Sequence, residues 1–232
     1  MARIGVITAL QSEAACLGGH LKHTELLNFV SGIGSAAAAR AADQAVEAGC
    51  DTLVSFGYAG ALDPALRAGD LVVGLSISNE QTTLNSDGGG VQQLISEIDK
   101  TNDVRARSSL LYAAPSIVKS TMQKSALRRK GGWDAVDMES FAIGCAAQQH
   151  GLAFLIIRAI ADTANEALPD SLPKLVDERG TIRRTTALWE ILKNPLDAPK
   201  YCGLAKAQAK ADRSLRCVAP LLVQIRIEGR QI

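Results

Sequence analysis

The sequence of 232 residues predicts an α/β fold, in which helices cover a largely buried sheet of mixed or parallel strands. Apolar strand-like runs alternate with alanine-rich helical runs along the chain. Hydrophobic residues make up 47% of the chain and aromatic residues only 4%, so the core consists mainly of Ala, Val, Leu and Ile. The length fits a single domain over 1–232, with a core over about 1–178 and a helical tail over about 179–232.

The predicted strands are short runs of apolar residues, which are typical of strands buried on both faces. They lie at 3–8, 26–30, 52–57, 71–78, 109–114, 133–138 and 153–162. The helical runs between them place small apolar residues on one face or end at glycine. They lie at 34–49, 91–98, 120–131 and 140–151. The sequence predicts a connection at 58–70 and a turn-rich, mobile loop at 81–90.

The formal net charge of +1 argues against a nucleic-acid-binding protein, but the charge is unevenly distributed. Residues 1–178 hold 14 Lys and Arg against 20 Asp and Glu, whereas residues 179–232 hold 11 against 4. The tail over 184–227 is predicted to form amphipathic helices that pack on the body and expose a basic face. The alternative is an element that contacts a membrane surface. The basic residues concerned are Lys200, Lys206, Lys210, Arg213, Arg216 and Arg226.

Cysteines and histidines indicate neither a disulfide framework nor a metal site. The five cysteines are scattered without a CxxC pair, which favours reduced thiols in a cytoplasmic protein. His20, His23 and His150 have no metal-ligand spacing, so no metal is expected. No run of about 18 apolar residues is present, and no membrane-spanning helix is predicted.

The stretch SGIGSAA at 31–37 matches a dinucleotide-binding fingerprint between a strand and a helix. That fingerprint also requires an acid about 20 residues further on, at the end of the next strand. Asp51 precedes that strand and Asp63 lies well beyond it. The favoured interpretation is a tight glycine turn, and a nicotinamide-dependent oxidoreductase is kept as an alternative class.

Three acids stand where a predicted strand ends: Glu13, Glu139 and Asp162. Capping of a helix N-terminus would by itself account for Glu13 or Glu139, and a loop turn for Asp162. Together, three carboxylates suit cleavage of an N-glycosidic bond, which needs an acid at the leaving base, a grip on ribose hydroxyls and a base for water. Asp137, beside Glu139, fits a structural role at the junction of strand and helix.

Five stretches carry a resemblance to a known family, and they occur in the family's order over about residues 3–165. They are IGVITALQSEA, SGIGSAAAA, SFGYAGALDPALRAGDLVV, VDMESFAIGCAA and FLIIRAIADTA. The chain resembles the purine nucleoside phosphorylase/nucleosidase superfamily, particularly the methylthioadenosine/S-adenosylhomocysteine nucleosidases. Through its tail it most resembles the hopanoid-associated phosphorylases. This resemblance implies a three-layer α/β/α sandwich with a central mixed sheet, a homodimer and no organic cofactor.

The resemblance also implies roles for individual residues. Glu13 matches the glutamate that activates water, and Asp162 matches the acid that protonates N7 of the purine. Glu139 matches the acid that binds the ribose hydroxyls, and Met138 packs against the sugar. The family usually has an aromatic residue in place of Ile117, so base stacking is expected to differ here. The other expected substrate-binding residues are Tyr58, Gly57, Gly34, Ser116 and Ile117.

The implied activity is release of adenine from a nucleoside with a bulky 5′ substituent, and the resemblance to the hopanoid-associated enzymes suggests an adenosylated hopanoid. Ser55 and Tyr58 stand where hexameric phosphorylases have a phosphate-binding arginine and serine. Because the arginine that would bind phosphate is absent there, these residues favour water as the nucleophile. The hopanoid-associated subfamily favours inorganic phosphate as co-substrate, so hydrolysis and phosphorolysis both stay open. A nucleoside-binding protein without catalysis is the remaining alternative.

Overall fold

The computed structural model describes residues 3–19, 25–169 and 198–224. The strands in these ranges are β1 Ile4–Thr8, β2 Leu26–Val30, β3 Thr52–Ala61, β4 Leu71–Ser78, β5 Thr83–Asn85, β6 Ala106–Ala113, β7 Ala135–Asp137 and β8 Ala153–Asp162. The helices are α1 Gln11–Leu17, α2 Ser35–Glu47, α3 Gly88–Thr101, α4 Thr121–Gly131, α5 Ser140–Gln149 and α6 Ala198–Val218. A 3₁₀ helix over Ala219–Gln224 follows α6.

The eight described strands form one mixed sheet. Strands β3, β8, β4, β6 and β7 are each hydrogen-bonded to the next, and β7 pairs back with β3, so these five close a ring. β1 pairs parallel with the first half of β3, and β2 extends the sheet beyond β1. The carboxyl ends of β1, β3 and β8 therefore meet at one edge, where ligands of α/β proteins usually bind.

Helices cover both faces of the sheet, which gives the predicted three-layer sandwich. Buried residues of α1, α3 and α6 pack on one face, and those of α2 and α5 on the other. Strand β8 has the apolar run Phe154–Ile157 because it is covered on both faces. Leu155 and Ile157 face the first cluster, and Phe154 and Ile156 face the second. A strand covered on both sides needs apolar residues at every position.

Two predictions for connecting segments were wrong. β3 continues to Ala61, because residues 58–60 pair with β8 on one side and residues 60–61 pair with β7 on the other. The segment at 81–90 contains the edge strand β5 and the first turn of α3. Asp87 caps that helix by accepting a hydrogen bond of 2.7 Å from the Gly90 amide. The other predicted strands and helices are confirmed, with bounds that differ by a few residues.

The described part of the predicted tail packs on the body, as the amphipathic interpretation requires. One side of α6, including Ala211, Leu215 and Val218, is buried in the first core cluster. Lys206 and Arg213 are exposed on the other side. Arg226 and most of the region before α6, like His20 and His23, lie outside the described residues. None of the described helices combines the length and the hydropathy needed to cross a membrane.

Candidate active site

The two acids at the junction of β7 and α5 have different partners. Asp137 accepts a hydrogen bond from the Ser140 amide at 3.2 Å and also from the Ser140 hydroxyl, so it caps the start of α5. Glu139 makes no capping bond to its own helix. Its carboxylate accepts instead from the Gly34 amide at 2.9 Å, across 105 positions of the sequence. Capping therefore accounts for Asp137 and does not account for Glu139.

Arg158 of β8 is buried beneath these acids with 1% of its surface exposed. Its Nε lies 2.8 Å from Asp137 Oδ2, and its Nη2 lies 3.9 Å from Glu139 Oε2. The guanidinium also donates to the Ser55 hydroxyl at 2.6 Å and to the Tyr58 carbonyl at 3.3 Å. Arg158 thus neutralises part of the buried negative charge and ties β7 and α5 to β3.

Glu13 lies in the first turn of α1 and is 2% exposed. Its Oε2 accepts from the amides of Ala9 and Leu10 at 2.7 and 2.8 Å, and its Oε1 accepts from the Tyr58 amide at 2.8 Å. Burial raises the pKa of Glu13 to about 7, although Arg158 and the backbone amides act in the opposite direction. A carboxyl group with such a pKa can accept a proton near neutral pH.

Gly57 explains how Glu13 and Arg158 fit beside β3. A methyl group on Gly57 would lie 2.2 Å from Glu13 Oε1 and 2.7 Å from Arg158 Nη1. The position therefore admits no side chain while both charged groups keep their places.

Asp162 is the last residue of β8 and is held by a buried lysine of α4. Lys124 Nζ lies 2.5 Å from Asp162 Oδ2, and the lysine side chain is fully buried. A register shift between Ala59 and Gly60 of β3 sets Asp162 opposite Gly60. Burial raises the pKa of Asp162, with Lys124 opposing the shift.

The three acids line a single cavity of about 520 Å³, which is within the usual size of a small-molecule site. α6 contributes Tyr201, Leu204 and Gln208 to its wall. Of the predicted site residues, those in the lining are Glu13, Tyr58, Ser116, Ile117, Met138, Glu139 and Asp162. Gly57 and Gly34 lie behind the lining, where they make room for Glu13 and bind Glu139 respectively. Burial raises the pKa of Glu139, which Arg158 counteracts.

Over the described ranges, no cluster of three or more His, Cys, Asp or Glu side chains has the arrangement of a metal site. The carboxylates around the cavity bind backbone amides, Arg158 or Lys124 instead.

A family model described as the phosphorylase superfamily matches residues 11–193, which include all three acids. The chain belongs to the phosphorylase superfamily. It is thereby an enzyme of the type that cleaves glycosyl bonds. A curated relative, the 5′-methylthioadenosine/S-adenosylhomocysteine nucleosidase of Staphylococcus aureus (strain JH9), is 26% identical over 165 residues. That alignment covers 63% of this chain and 72% of the relative.

Two solved structures have similar folds. The 5′-methylthioadenosine/S-adenosylhomocysteine nucleosidase of Neisseria meningitidis, in complex with methylthio-immucillin-A, gives a TM-score of 0.75 at 19% identity. Its alignment covers 97% of this chain and 100% of that chain. The futalosine hydrolase of Helicobacter pylori strain 26695 gives a TM-score of 0.71 at 16% identity, with 97% of each chain covered. At these identities the likeness shows the shared fold.

Sequence reasoning missed two charged residues of this phosphorylase-superfamily site. Arg158 stands alone among the apolar residues of a predicted strand, and a lone charge in an apolar run must be paired when that run is buried. Lys124 gave no comparable signal, because the surrounding QKSALRRK looks like an exposed basic helix. The contribution of α6 to the cavity wall was not predicted either.

Replacing Arg158 with Met is expected to destabilise the protein by about 3–5 kcal/mol at about pH 8, because buried carboxylates lose their counter-ion. Arg158 lowers the pKa values of Glu13 and Glu139, so both values rise further in the variant. A carboxyl group whose pKa is higher in the folded than in the unfolded protein adds stability at pH values below its pKa in the unfolded protein. That added stability is lost as the pH rises through its pKa in the folded protein. The loss of stability in Arg158→Met should therefore be smaller at about pH 5 than at about pH 8. Urea unfolding of wild type and variant at both pH values measures this loss.

The matched control is Lys100→Met, which removes an exposed ion pair with Glu97. It should change stability by no more than about 1 kcal/mol at either pH. An equal loss in the two variants, or a loss in Arg158→Met that does not depend on pH, would contradict the role of Arg158 as counter-ion.

Proposed function

We propose that the protein hydrolyses the N-glycosidic bond of an adenine nucleoside that carries a bulky, apolar 5′ substituent. The observation that carries the proposal is the placing of Glu13, Glu139 and Asp162 around one cavity, each with different partners. Separate environments allow separate roles for three carboxyl groups. The nucleosidases among the relatives, by their names, act on adenine nucleosides with 5′ substituents.

In the proposed reaction, the C1′–N9 bond breaks and its electron pair moves onto the base. Asp162 gives a proton to N7, so that neutral adenine leaves. Water attacks C1′ while Glu13 accepts one of its protons, and Glu139 holds the ribose hydroxyls. Glu13 then releases its proton to solvent and Asp162 takes one back. The products are adenine and the 5-substituted ribose.

The charges around the cavity support water rather than phosphate as the nucleophile. No lysine or arginine is among the described residues that line the cavity. The guanidinium of Arg158 is buried against Asp137, Ser55 and Ser140. A phosphate ion would have to approach the carboxyl of Glu13 without a cation among these residues, which is unfavourable.

The apolar wall of the cavity supports the bulky 5′ substituent. Leu204 and Ala205 of α6, Ile117, Val118 and Leu168 all contribute to the lining. Apolar side chains of this kind stabilise an apolar ligand group by removing it from water. The adenosylated hopanoid suggested by the sequence resemblance would present such a group.

The rival functions have less support. A nicotinamide-dependent oxidoreductase would use the SGIGSAA loop to bind its cofactor. In that loop the Gly34 amide donates to Glu139, so this donor is engaged within the protein. A nucleoside-binding protein without catalysis would not need a carboxyl group whose pKa is raised to about 7 beside the ligand cavity.

The proposal predicts that the enzyme releases adenine from 5′-methylthioadenosine and from analogues with longer alkylthio groups, at rates that do not depend on inorganic phosphate. Mass spectrometry should identify the 5-substituted ribose as the second product. Asp162→Asn should lower the rate by about 10²- to 10⁴-fold while the protein stays folded. Phosphate-dependent formation of the ribose 1-phosphate would refute hydrolysis. Binding of the nucleosides without release of adenine would refute catalysis.

The pH dependence of kcat/KM should show a rise on the acid side with an apparent pKa near 7, because Glu13 must lose its proton before it can accept one from water. The carboxylate of Glu139 helps to raise the pKa of Glu13. Glu139→Gln should therefore move this acid limb to lower pH, besides weakening ribose binding.

Glu13→Gln should lose about 10²- to 10⁴-fold in rate. Near wild-type activity in Glu13→Gln would contradict the assignment.

We also propose a peripheral, electrostatic contact between α6 and anionic lipid. The exposed side of α6 carries Lys206, Lys210, Arg213 and Arg216, and its opposite side is buried in the core. Such a helix can bind a negative surface without inserting, at about 1 kcal/mol for each basic residue near the surface. The contact would bring the cavity wall formed by α6 close to a lipid-borne substrate. The homodimer suggested by the sequence resemblance stays a prediction.

Co-sedimentation with vesicles containing anionic lipid tests this contact. The double variant Lys206→Glu/Arg213→Glu should bind more weakly than wild type, and added salt should abolish the difference. The control Lys100→Glu/Arg129→Glu reverses two exposed charges on other helices and should bind like wild type. Equal binding by wild type and both double variants would show that α6 is not the contact.

A further inference from the structure

Lys124 is the one fully buried lysine among the described residues, and all three of its N–H donors have acceptors. Its Nζ donates to Asp162 Oδ2 at 2.5 Å, to the Thr163 carbonyl at 2.7 Å and to the Glu166 carbonyl at 2.8 Å. Two of these acceptors belong to the turn that follows β8. The lysine therefore fastens both the carboxyl of Asp162 and the backbone beside it to α4.

This contact restricts where Asp162 can carry a proton. An ammonium group donates hydrogen bonds and cannot accept them, so Oδ2 must remain an acceptor. When Asp162 is protonated, the proton consequently resides on Oδ1. Asp162 lines the cavity, and Lys124 is not part of the lining. The arrangement leaves Oδ1 as the oxygen available to a ligand.

We propose that Lys124 is a positioning residue for catalysis: it holds Oδ2 of Asp162 so that the proton for the leaving base is presented from Oδ1. This inference rests on the proposed glycosidic cleavage. In that step, the proton moves from Oδ1 to N7 as the C1′–N9 electron pair moves onto the base. The carboxylate that remains is stabilised by Lys124 until solvent returns a proton. Lys124 itself keeps all its protons throughout.

Several charged groups surround Asp162. Lys124 of α4 favours the ionised carboxylate, whereas the carboxylate of Glu166, in the turn after β8, favours the protonated form. Glu166 is itself held by the amide and hydroxyl of Thr163, at 3.0 and 2.9 Å. The acids Glu13, Asp137 and Glu139, from α1, β7 and the start of α5, line the same cavity. Removing the lysine charge therefore takes away the cation that favours the ionised Asp162 and leaves the opposing carboxylate of Glu166.

Two substitutions separate the charge of Lys124 from its hydrogen bonds. Lys124→Met removes both, and Lys124→Gln keeps a neutral donor. In the proposed reaction kcat/KM falls at alkaline pH, when Asp162 loses its proton. Loss of the lysine charge should shift this fall to a pH higher by about one unit or more in both variants, because Asp162 stays protonated to higher pH. Lys124→Met should also lower kcat. If the Met variant does not fold, the Gln variant carries the test. The control is Lys130→Met, in the same helix, which removes an exposed pair with Glu80 and should leave the profile unchanged.

A binding measurement provides a second readout that needs no turnover. Adenine offers N7 as an acceptor, whereas 7-deazaadenine has a C–H group there. Calorimetry should show that wild type prefers adenine, and that Lys124→Met reduces this preference roughly tenfold, as expected for loss of one well-placed hydrogen bond to a buried group.

The inference is overturned if both Lys124 variants lose stability while the alkaline limb and the preference for adenine stay as in wild type. It is also overturned if wild type binds the two bases equally. Failure of the proposed function gives a different result. In that case wild type releases no adenine from any nucleoside, whatever its preference between the two bases.

Discussion

The site depends on one buried guanidinium. Arg158 brings a positive charge into a region that also holds Asp137, Glu139 and Glu13, and it is almost completely removed from water. Three buried carboxylates without a cation would be strongly unfavourable, and the strands that carry them could not approach each other. Arg158 also binds the Ser55 hydroxyl and the Tyr58 carbonyl. One side chain therefore fixes the positions of β3, β7 and the start of α5.

In Glu13, a structural contact coincides with the position of the proposed base. The carboxylate accepts from the Leu10 amide at the start of α1, as the capping interpretation required, and from the Tyr58 amide of β3. Because these bonds fix its orientation, the group can serve as a positioned base without further ordering. The two acids at the junction of β7 and α5 divide these roles instead. Asp137 caps α5, and Glu139 binds the Gly34 amide and lines the cavity.

Much of the fold could be predicted because burial on both faces of the sheet leaves a clear pattern. β8 was predicted with its observed bounds from AFLIIRAIAD alone. The prediction failed at 58–61, where the sequence YAGA indicated a connection but the residues pair with two neighbouring strands. It also failed for Lys124, since no local feature separates a buried lysine from an exposed one in a basic helix. Burial of Lys124 depends on the turn after β8, which supplies two carbonyl acceptors.

The sequence by itself determined the alternation of strands and helices, the family, and the three acids at strand ends. These features depend on local hydrophobic pattern and on motifs of a few residues. Only the tertiary structure decided that the acids share one cavity, that Arg158 and Lys124 are their cations, and that α6 forms part of the wall. Contacts between distant parts of the chain also hold α6 in place: the Tyr58 hydroxyl of β3 donates to the carboxylate of Asp212 in α6, 154 positions away. Their energies depend on burial and charge balance, which exist only once the strands have been brought together.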